Sequence, residues 1–220
     1  IMILEEPTFG DYDLSSYRNL FYGSSPMAAE WVERAIQRFT KAGVQQGYGL
    51  TETSPILTTF DADDHAHAME TGNTDILRAA GRPLIGIDLK IFDEDDNELP
   101  TGQAGEVCVR GPNVTPGYLN RPEENKEAFK NGWFHTGDVG KGDENGILFL
   151  MDRKKDMIVS GGENIYTSEV EAALYKHPDV FECAVIGVPD YKYGEALLAV
   201  IVPMPDKNIE KNAIIKHCRK

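Results

Sequence analysis

The 220-residue sequence predicts an α/β segment over residues 1–80, a small β-barrel-like subdomain over 81–152 and a small α/β (α+β) domain over 153–220. Three observations lead there. Residues 1–60 alternate helical and strand signals, the pattern of an α/β layer. From Gly81 to about Met151, short β-type runs are separated by turns rich in Asp, Asn, Gly and Pro, as in a small antiparallel barrel or sheet. After Arg153 the helix–strand alternation returns, so the last boundary falls there.

Element by element, Pro26 suits the first turn of a helix, where its missing donor costs nothing. Trp31, Ala35, Ile36 and Phe39 give that helix an apolar face, and Gly43 is expected to end it. Val44–Tyr48 reads as a strand running into a Gly-rich turn, and residues 61–80 as a polar surface loop. Strands follow at Ile85–Phe92, Gly105–Arg110 and Ile147–Met151, with a hairpin tip at Asp93–Asn97. That acidic tip lacks the residue order of a calcium loop. Ser168-Glu169-Val170-Glu171 has the form of a capping box opening a helix that stops near His177-Pro178. Strands at Phe181–Val188 and Ala196–Pro203 precede a last helix from Asn208.

Composition narrows the partners. A net charge of -14 opposes nucleic acid, so any anionic ligand needs a local exception; Arg153, Lys154 and Lys155 provide one. Cys108, Cys183 and Cys218 are odd in number and widely spaced, which fits buried or incidental thiols in a reducing compartment and a cytoplasmic location. No apolar run reaches the ~20 residues of a membrane span.

Several segments carry chemistry. In Gly47-Tyr48-Gly49-Leu50-Thr51-Glu52-Thr53 the glycines permit close backbone approach, and Tyr48 offers a flat face for a base. Thr51 offers a hydroxyl to a phosphate, and Glu52 a hard oxygen for Mg²⁺; a plain Gly-rich hairpin with an exposed Tyr is the alternative. Gly23, Ser24 and Ser25 lie where a strand enters a helix, leaving room beside a base or acyl chain, or forming a simple turn. Asp138, after His135-Thr136-Gly137, can accept from both ribose hydroxyls or serve only as a turn Asp. Arg153 can reach the same ribose or make a surface ion pair. Ser160-Gly161-Gly162-Glu163 presents backbone donors to a narrow chain such as pantetheine, or is a hairpin. His65 and His67 are read as loop residues rather than metal ligands, and His135 and His177 have no partner visible in the sequence.

In order and spacing these segments resemble the acyl-CoA synthetases, AMP-forming carboxylic acid–CoA ligases of the adenylate-forming superfamily, from Asp13-Leu14-Ser15-Ser16 onward. The resemblance implies that Gly23, Ser24 and Ser25 line the adenine and acyl site, with Gly47 and Gly49 flanking Tyr48 on the adenine. It makes Thr51 the α-phosphate contact and Glu52 the Mg²⁺ ligand, the two catalytic candidates. Asp138, Leu150 and Arg153 belong to the ribose, Lys155 is a hinge, and Ser160, Gly161, Gly162 and Glu163 meet CoA. Tyr48, Asp138 and Arg153 are thus expected to grip one adenosine. The implied substrates are ATP, CoA and a carboxylic acid, a fatty acid foremost, with Mg²⁺ as cofactor.

The pattern departs from the family in three ways. There is no Ser/Thr/Gly-rich phosphate loop ending in Pro-Lys-Gly and no lysine in a Ser-Gly-Lys context, and Thr167 stands where many relatives have Pro. Ile-Met-Ile-Leu-Glu-Glu reads as mid-chain sequence, so the chain is expected to be a fragment of this fold, inactive alone. Two other readings remain: an adenylating enzyme that passes its acyl group to a carrier protein or to oxygen, and a nucleotide-binding module without catalysis.

Overall fold

The structure, a computed structural model, describes residues 2–25 and 27–219. Pro26, and with it the expectation for the helix's first turn, lies outside the described residues. The chain divides into two compact units. One comprises the residues up to Thr136 together with Gly140–Leu150; the other comprises Gly137–Val139 and everything from Met151.

The first unit opens with strand β1 (Asn19–Gly23), helix α1 (Ala29–Arg38) and strand β2 (Gly43–Tyr48). β1 and β2 pair in parallel, with α1 as their crossover. Trp31, Val32 and Ala35 bury the helix's inner face, and Glu30 in the first turn and Arg38 in the last complement its dipole. Gly43 does not end this helix, which stops at Arg38. It opens β2 instead, where a Cβ would lie 2.8 Å from Ala62 Cβ, so the glycine lets the next helix approach.

That next helix is a correction to the expected loop over 61–80. Strand β3 (Thr58–Phe60) leads into α2 (Ala62–Thr71), followed by a 3₁₀ turn at Thr74–Arg78. Asp61 caps α2 by accepting from the Asp64 N–H at 2.9 Å, and Gly72 closes it in the left-handed region. His65, 1% exposed, explains why a polar stretch folds back. Its Nδ1–H donates to the Asp61 carbonyl at 2.6 Å, so Nε2 accepts from the Tyr22 hydroxyl at 3.0 Å. Burial holds the imidazole below its usual pKa, keeping it neutral. His65 is thus a core residue, and neither it nor His67 belongs to a metal-ligand group among the described residues.

Strand β4 (Arg82–Pro83) completes a four-stranded sheet in the order β1-β2-β3-β4. A second sheet holds β5 (Asp88–Phe92), β6 (Gly105–Arg110), β7 (Phe129–Lys130), β8 (Trp133–Gly142) and β9 (Leu148–Arg153). Helix α3 (Pro122–Ala128) precedes β7. β5 and β6 are antiparallel around the Asp93–Asn97 tip, where Asp93 accepts from the N–H groups of Asp95 and Asn97. Tyr48, Leu57, Ala80, Val107, Phe134 and Leu148 fuse the two sheets into one core.

The second unit contains β10 (Ile158–Ser160), β11 (Glu163–Ile165), α4 (Thr167–Tyr175), β12 (Val180–Asp190), β13 (Gly194–Pro203) and α5 (Lys211–Cys218). Its antiparallel sheet runs β11-β10-β13-β12, and Ile158, Leu174, Val180, Val185 and Ile214 form its core. The capping box at Ser168 is not formed. Ser168 donates to the Met151 carbonyl, and Glu171 accepts from the Val185 N–H at 2.9 Å. Asp152 serves the helix start instead, taking the Thr167 N–H at 2.6 Å and the Thr167 hydroxyl at 2.8 Å. Proline at 167 has no N–H for that bond, which gives the threonine a structural reason. Of the thiols, Cys108 is buried, Cys183 half-buried and Cys218 exposed. Burial, then the nearby Glu171, pushes Cys183 up to about 11.

Candidate functional site

The turn after β2 is held from several sides. Gly23 and Gly47 are register partners in the parallel pair, so two candidate residues meet across one pair of strands. A Cβ on Gly23 would lie 2.3 Å from the Gly47 carbonyl oxygen, and one on Gly47 would lie 2.3 Å from the Phe21 ring. The space these glycines leave is therefore filled by backbone and by Phe21. Gly49 is required by its own loop, since a Cβ there would lie 1.8 Å from the Pro55 carbonyl oxygen.

Tyr48 is not an exposed hairpin residue; it is 8% exposed and belongs to the core. Thr51–Thr53 form a single 3₁₀ turn. Thr53, fully buried, locks it by accepting from the Leu50 N–H and donating to the Leu50 carbonyl, both at 2.9 Å. This leaves Thr51 exposed and Glu52 partly exposed on the outer side of a rigid turn.

Glu52 has a partner that sequence reasoning missed. The Tyr118 hydroxyl donates to Glu52 Oε1 at 2.8 Å, while the Thr115 N–H donates to the Glu52 carbonyl at 2.8 Å. Burial first, then the Glu52 bond and charge, push the Tyr118 phenol up to about 12, so it remains a donor at neutral pH. Asn125 fixes Tyr118 by accepting from its N–H at 2.6 Å and donating to its carbonyl at 2.8 Å. Asn113 donates to the Thr53 and Ile56 carbonyls at 2.6 and 3.2 Å. Its own Oδ1 is buried with no hydrogen bond among the described residues.

Ser24 and Ser25 are exposed at the end of β1, and Ser24 holds φ +70°, a left-handed conformation uncommon outside glycine. The helix begins only at Ala29, so its free N–H groups lie several residues beyond these serines.

In the second unit, Asp138 and Arg153 come together. Arg153 Nε lies 3.7 Å from Asp138 Oδ1; the carboxylate side chain is 14% exposed and the guanidinium 61%. Gly137, at φ +75° within β8, bends the strand just before Asp138, and its carbonyl accepts from the Lys154 N–H at 2.8 Å. Lys155 sits exposed in the following turn, closed by Asp156 and Met157 N–H groups donating to the Arg153 carbonyl at 2.9 and 3.0 Å. Leu150, in the first unit, packs at the edge of the core around Leu148.

Ser160 and Glu163 are register partners across a two-residue hairpin. Gly161 and Gly162 have φ +62° and +88°, the primed-turn geometry that glycine adopts without strain. The Gly161 N–H is not open to a ligand: it donates to the Tyr193 carbonyl at 2.8 Å.

Comparison with known proteins identifies the family. The model for the AMP-binding enzyme family matches residues 1–119, and that for the AMP-binding enzyme C-terminal domain matches residues 169–220. The chain belongs to the AMP-binding enzyme family. A feruloyl-CoA synthase from Amycolatopsis sp is 41% identical over 99% of this chain and 42% of its own length. A long-chain-fatty-acid–CoA ligase from Escherichia coli O6:H1 is 37% identical over 99% of this chain and 37% of its own length. Among solved structures, the amide bond synthetase McbA from Marinactinospora thermotolerans matches with a TM-score of 0.90 at 36% identity, covering 98% of this chain and 42% of that one. The chain thus spans about two fifths of the length of these relatives, and its fold is that of the adenylate-forming enzymes.

Within this member of the AMP-binding enzyme family the sequence had no way to flag Tyr118 or Asn113. Tyr118 is 66 residues from Glu52, and Asn113 is 60 from Thr53. Only their type and a Gly-rich neighbourhood hint at a role. Among the described residues no helix is long and apolar enough to cross a membrane.

Proposed function

We propose that the protein carrying this chain is an AMP-forming carboxylic acid–CoA ligase, activating an acid as its acyl adenylate and passing it to CoA. The observation that carries this reading is the Asp138–Arg153 pair: a mostly buried carboxylate beside a guanidinium 3.7 Å away. Such a carboxylate can accept from both ribose hydroxyls, and the cation can reach the sugar or its phosphate. Lys155, in the next turn, is the hinge of this reading. Leu150 serves the ribose, and Tyr48 with the exposed Ser24 and Ser25 serves the base and acyl group, while Gly23, Gly47 and Gly49 shape the backbone that carries them.

Thr51 and Glu52 carry the phosphate end. Tyr118 occupies one oxygen of Glu52, and its other oxygen, Oε2, has no hydrogen bond among the described residues. A hard, partly exposed carboxylate oxygen suits Mg²⁺, so Glu52 fits the role of its protein ligand. When bound, that ion would neutralise charge on the phosphates. Thr51, on the outer side of the same turn, donates its hydroxyl to the α-phosphate. Ser160, Gly161, Gly162 and Glu163 form a narrow hairpin for the pantetheine arm.

The acid is expected to be fatty or aromatic, and the relatives' names divide between these classes. A second reading, favoured by the likeness to an amide bond synthetase, replaces CoA with an amine as acceptor. The experiment is acid-dependent ATP–pyrophosphate exchange by the full-length gene product, with a panel of fatty and aryl acids. It is followed by acyl transfer to CoA, to amines and to a phosphopantetheinyl carrier. Asp138→Ala is expected to raise KM for ATP about 10- to 100-fold through loss of charge-assisted hydrogen bonds. Undiminished ATP affinity in that variant would remove the ribose assignment.

A further inference from the structure

His135, for which the sequence offers no partner, sits on β8 with its side chain 7% exposed, and acquires three neighbours through the fold. Glu106 and Cys108 lie two residues apart on β6, the strand that pairs with β8, so both side chains leave the same face of that strand. His135 Nδ1 lies 3.3 Å from Cys108 Sγ and 3.3 Å from Glu106 Oε2. On the far side of the ring, Nε2 lies 3.8 Å from Asp96 Oδ1, at the tip of the β5–β6 hairpin. The second Asp96 oxygen accepts from Asn131 Nδ2 at 3.1 Å, which steadies that carboxylate.

One ring nitrogen cannot donate to a carboxylate and accept from a thiol at the same time. Sulfur, nitrogen and oxygen converging within 4.8 Å of one another are, however, a metal-ligand set. Zinc bond lengths at tetrahedral angles place S and N about 3.6 Å apart, and N and O about 3.4 Å. The two 3.3 Å separations here are close to those values. Asp96, behind the ring at 3.8 Å, lies on the side from which a carboxylate orients a ligating histidine once the two close to hydrogen-bond distance. Cys108 is fully buried in one cluster with Phe92 and Trp133, and the Phe92 ring stacks on His135 at 6.4 Å, so the cluster has an apolar wall.

We propose that Glu106, Cys108 and His135 form a binding site for a divalent cation of borderline softness, of which Zn²⁺ is the type, with Asp96 as the orienting group. The thiolate and imidazole select against Mg²⁺, which prefers oxygen, so this site is chemically separate from Glu52. Three protein ligands leave one tetrahedral position for water, and the site's place on β6 and β8 lets the metal tie two paired strands together.

The test titrates the reduced, metal-free 220-residue chain with Co²⁺ alone and reads the thiolate-to-cobalt charge-transfer band. Zn²⁺ then competes for the site. The expected result is one equivalent of cobalt with that band, displaced by zinc, retained in Cys183→Ser and Cys218→Ser and lost in Cys108→Ser. Asp96→Asn is expected to weaken zinc binding roughly 10- to 100-fold. Zinc should also raise the unfolding midpoint of the native chain but not of Cys108→Ser. Absence of a stoichiometric band, or a band that survives Cys108→Ser, overturns the proposal. Should Cys108→Ser fail to fold, X-ray absorption on the zinc-loaded native chain decides: one sulfur among the ligands supports the site, and none overturns it.

Discussion

The turn at residues 47–53 and the segment at 137–155 hold their candidate residues in opposite ways. In the first, Thr53 bonds both ways to Leu50, Asn113 braces two carbonyls, Tyr118 grips Glu52 and Gly49 lies against Pro55. In the second, Asp138 lies 3.7 Å from an Arg153 that is mostly in solvent, beside a glycine of strand β8 and an exposed lysine. A turn braced by buried hydrogen bonds keeps its shape before any ligand arrives, as charge stabilisation at phosphate requires. Only the carboxylate of this pair is mostly buried; the guanidinium and the lysine after it lie in solvent, where they are cheap to rearrange, as a hinge requires. The difference predicts that substitutions in the first place cost stability, and substitutions in the second cost binding.

The strongest attempt to break this contrast is Gly49→Ala. Its Cβ would meet backbone, which cannot rotate away, so the loop must shift. A loss of about 3 kcal/mol in denaturant unfolding is expected, against little change for Asp138→Ala. Comparable losses at the two positions would erase the distinction.

Tyr118→Phe asks whether the bracing serves Glu52 itself. Removing one hydrogen bond to a carboxylate costs about 1.5–3 kcal/mol at most, less where water replaces it. In the full-length enzyme the variant should raise the Mg²⁺ concentration needed for half-maximal pyrophosphate exchange several-fold, with KM for the acid unchanged. A merely structural tyrosine would leave the Mg²⁺ dependence alone.

The pH dependence of stability locates rigidity through His65. Its folded pKa is lowered by burial, so the unfolded state binds the extra proton. Stability is then fully present above the ordinary imidazole range, near pH 6.5, and falls as pH drops below it, by at most about 1.4 kcal/mol per pH unit for one proton. Urea unfolding of His65→Asn at pH 7 and pH 5 should show that slope reduced relative to the parent chain.

The smallest effect is expected from Arg153→Gln. An exposed guanidinium at this distance contributes less than about 1 kcal/mol to stability, so the melting curve should barely move. A large destabilisation would mean that the pair is structural, and the contrast with the first turn would fail.

Local features were legible. The Asp93–Asn97 tip, the Gly161-Gly162 hairpin and the paired strands β12 and β13 follow from turn chemistry and alternation over a few residues. The helix at Ala62–Thr71 was not, because its polar sequence hides an inner face made of His65, packed on Tyr22 and Phe60, and Ala68. The capping pattern at Ser168 misled for the same reason: Met151 and Asp152, from β9, reach the helix start first. Gly43 looked like a helix stop but serves a close approach that no window of neighbouring residues reveals.

The order and chemical type of the segments, and with them the family, were contained in the amino-acid string, because motif spacing is a property of the chain. Which carboxylate is braced, which glycine is filled and which histidine gathers sulfur and oxygen around it were decided only by folding. The carboxylate and histidine pairings span 27 to 66 residues, and a side chain's chemistry depends on neighbours that the pairing of strands brings to within about three ångströms.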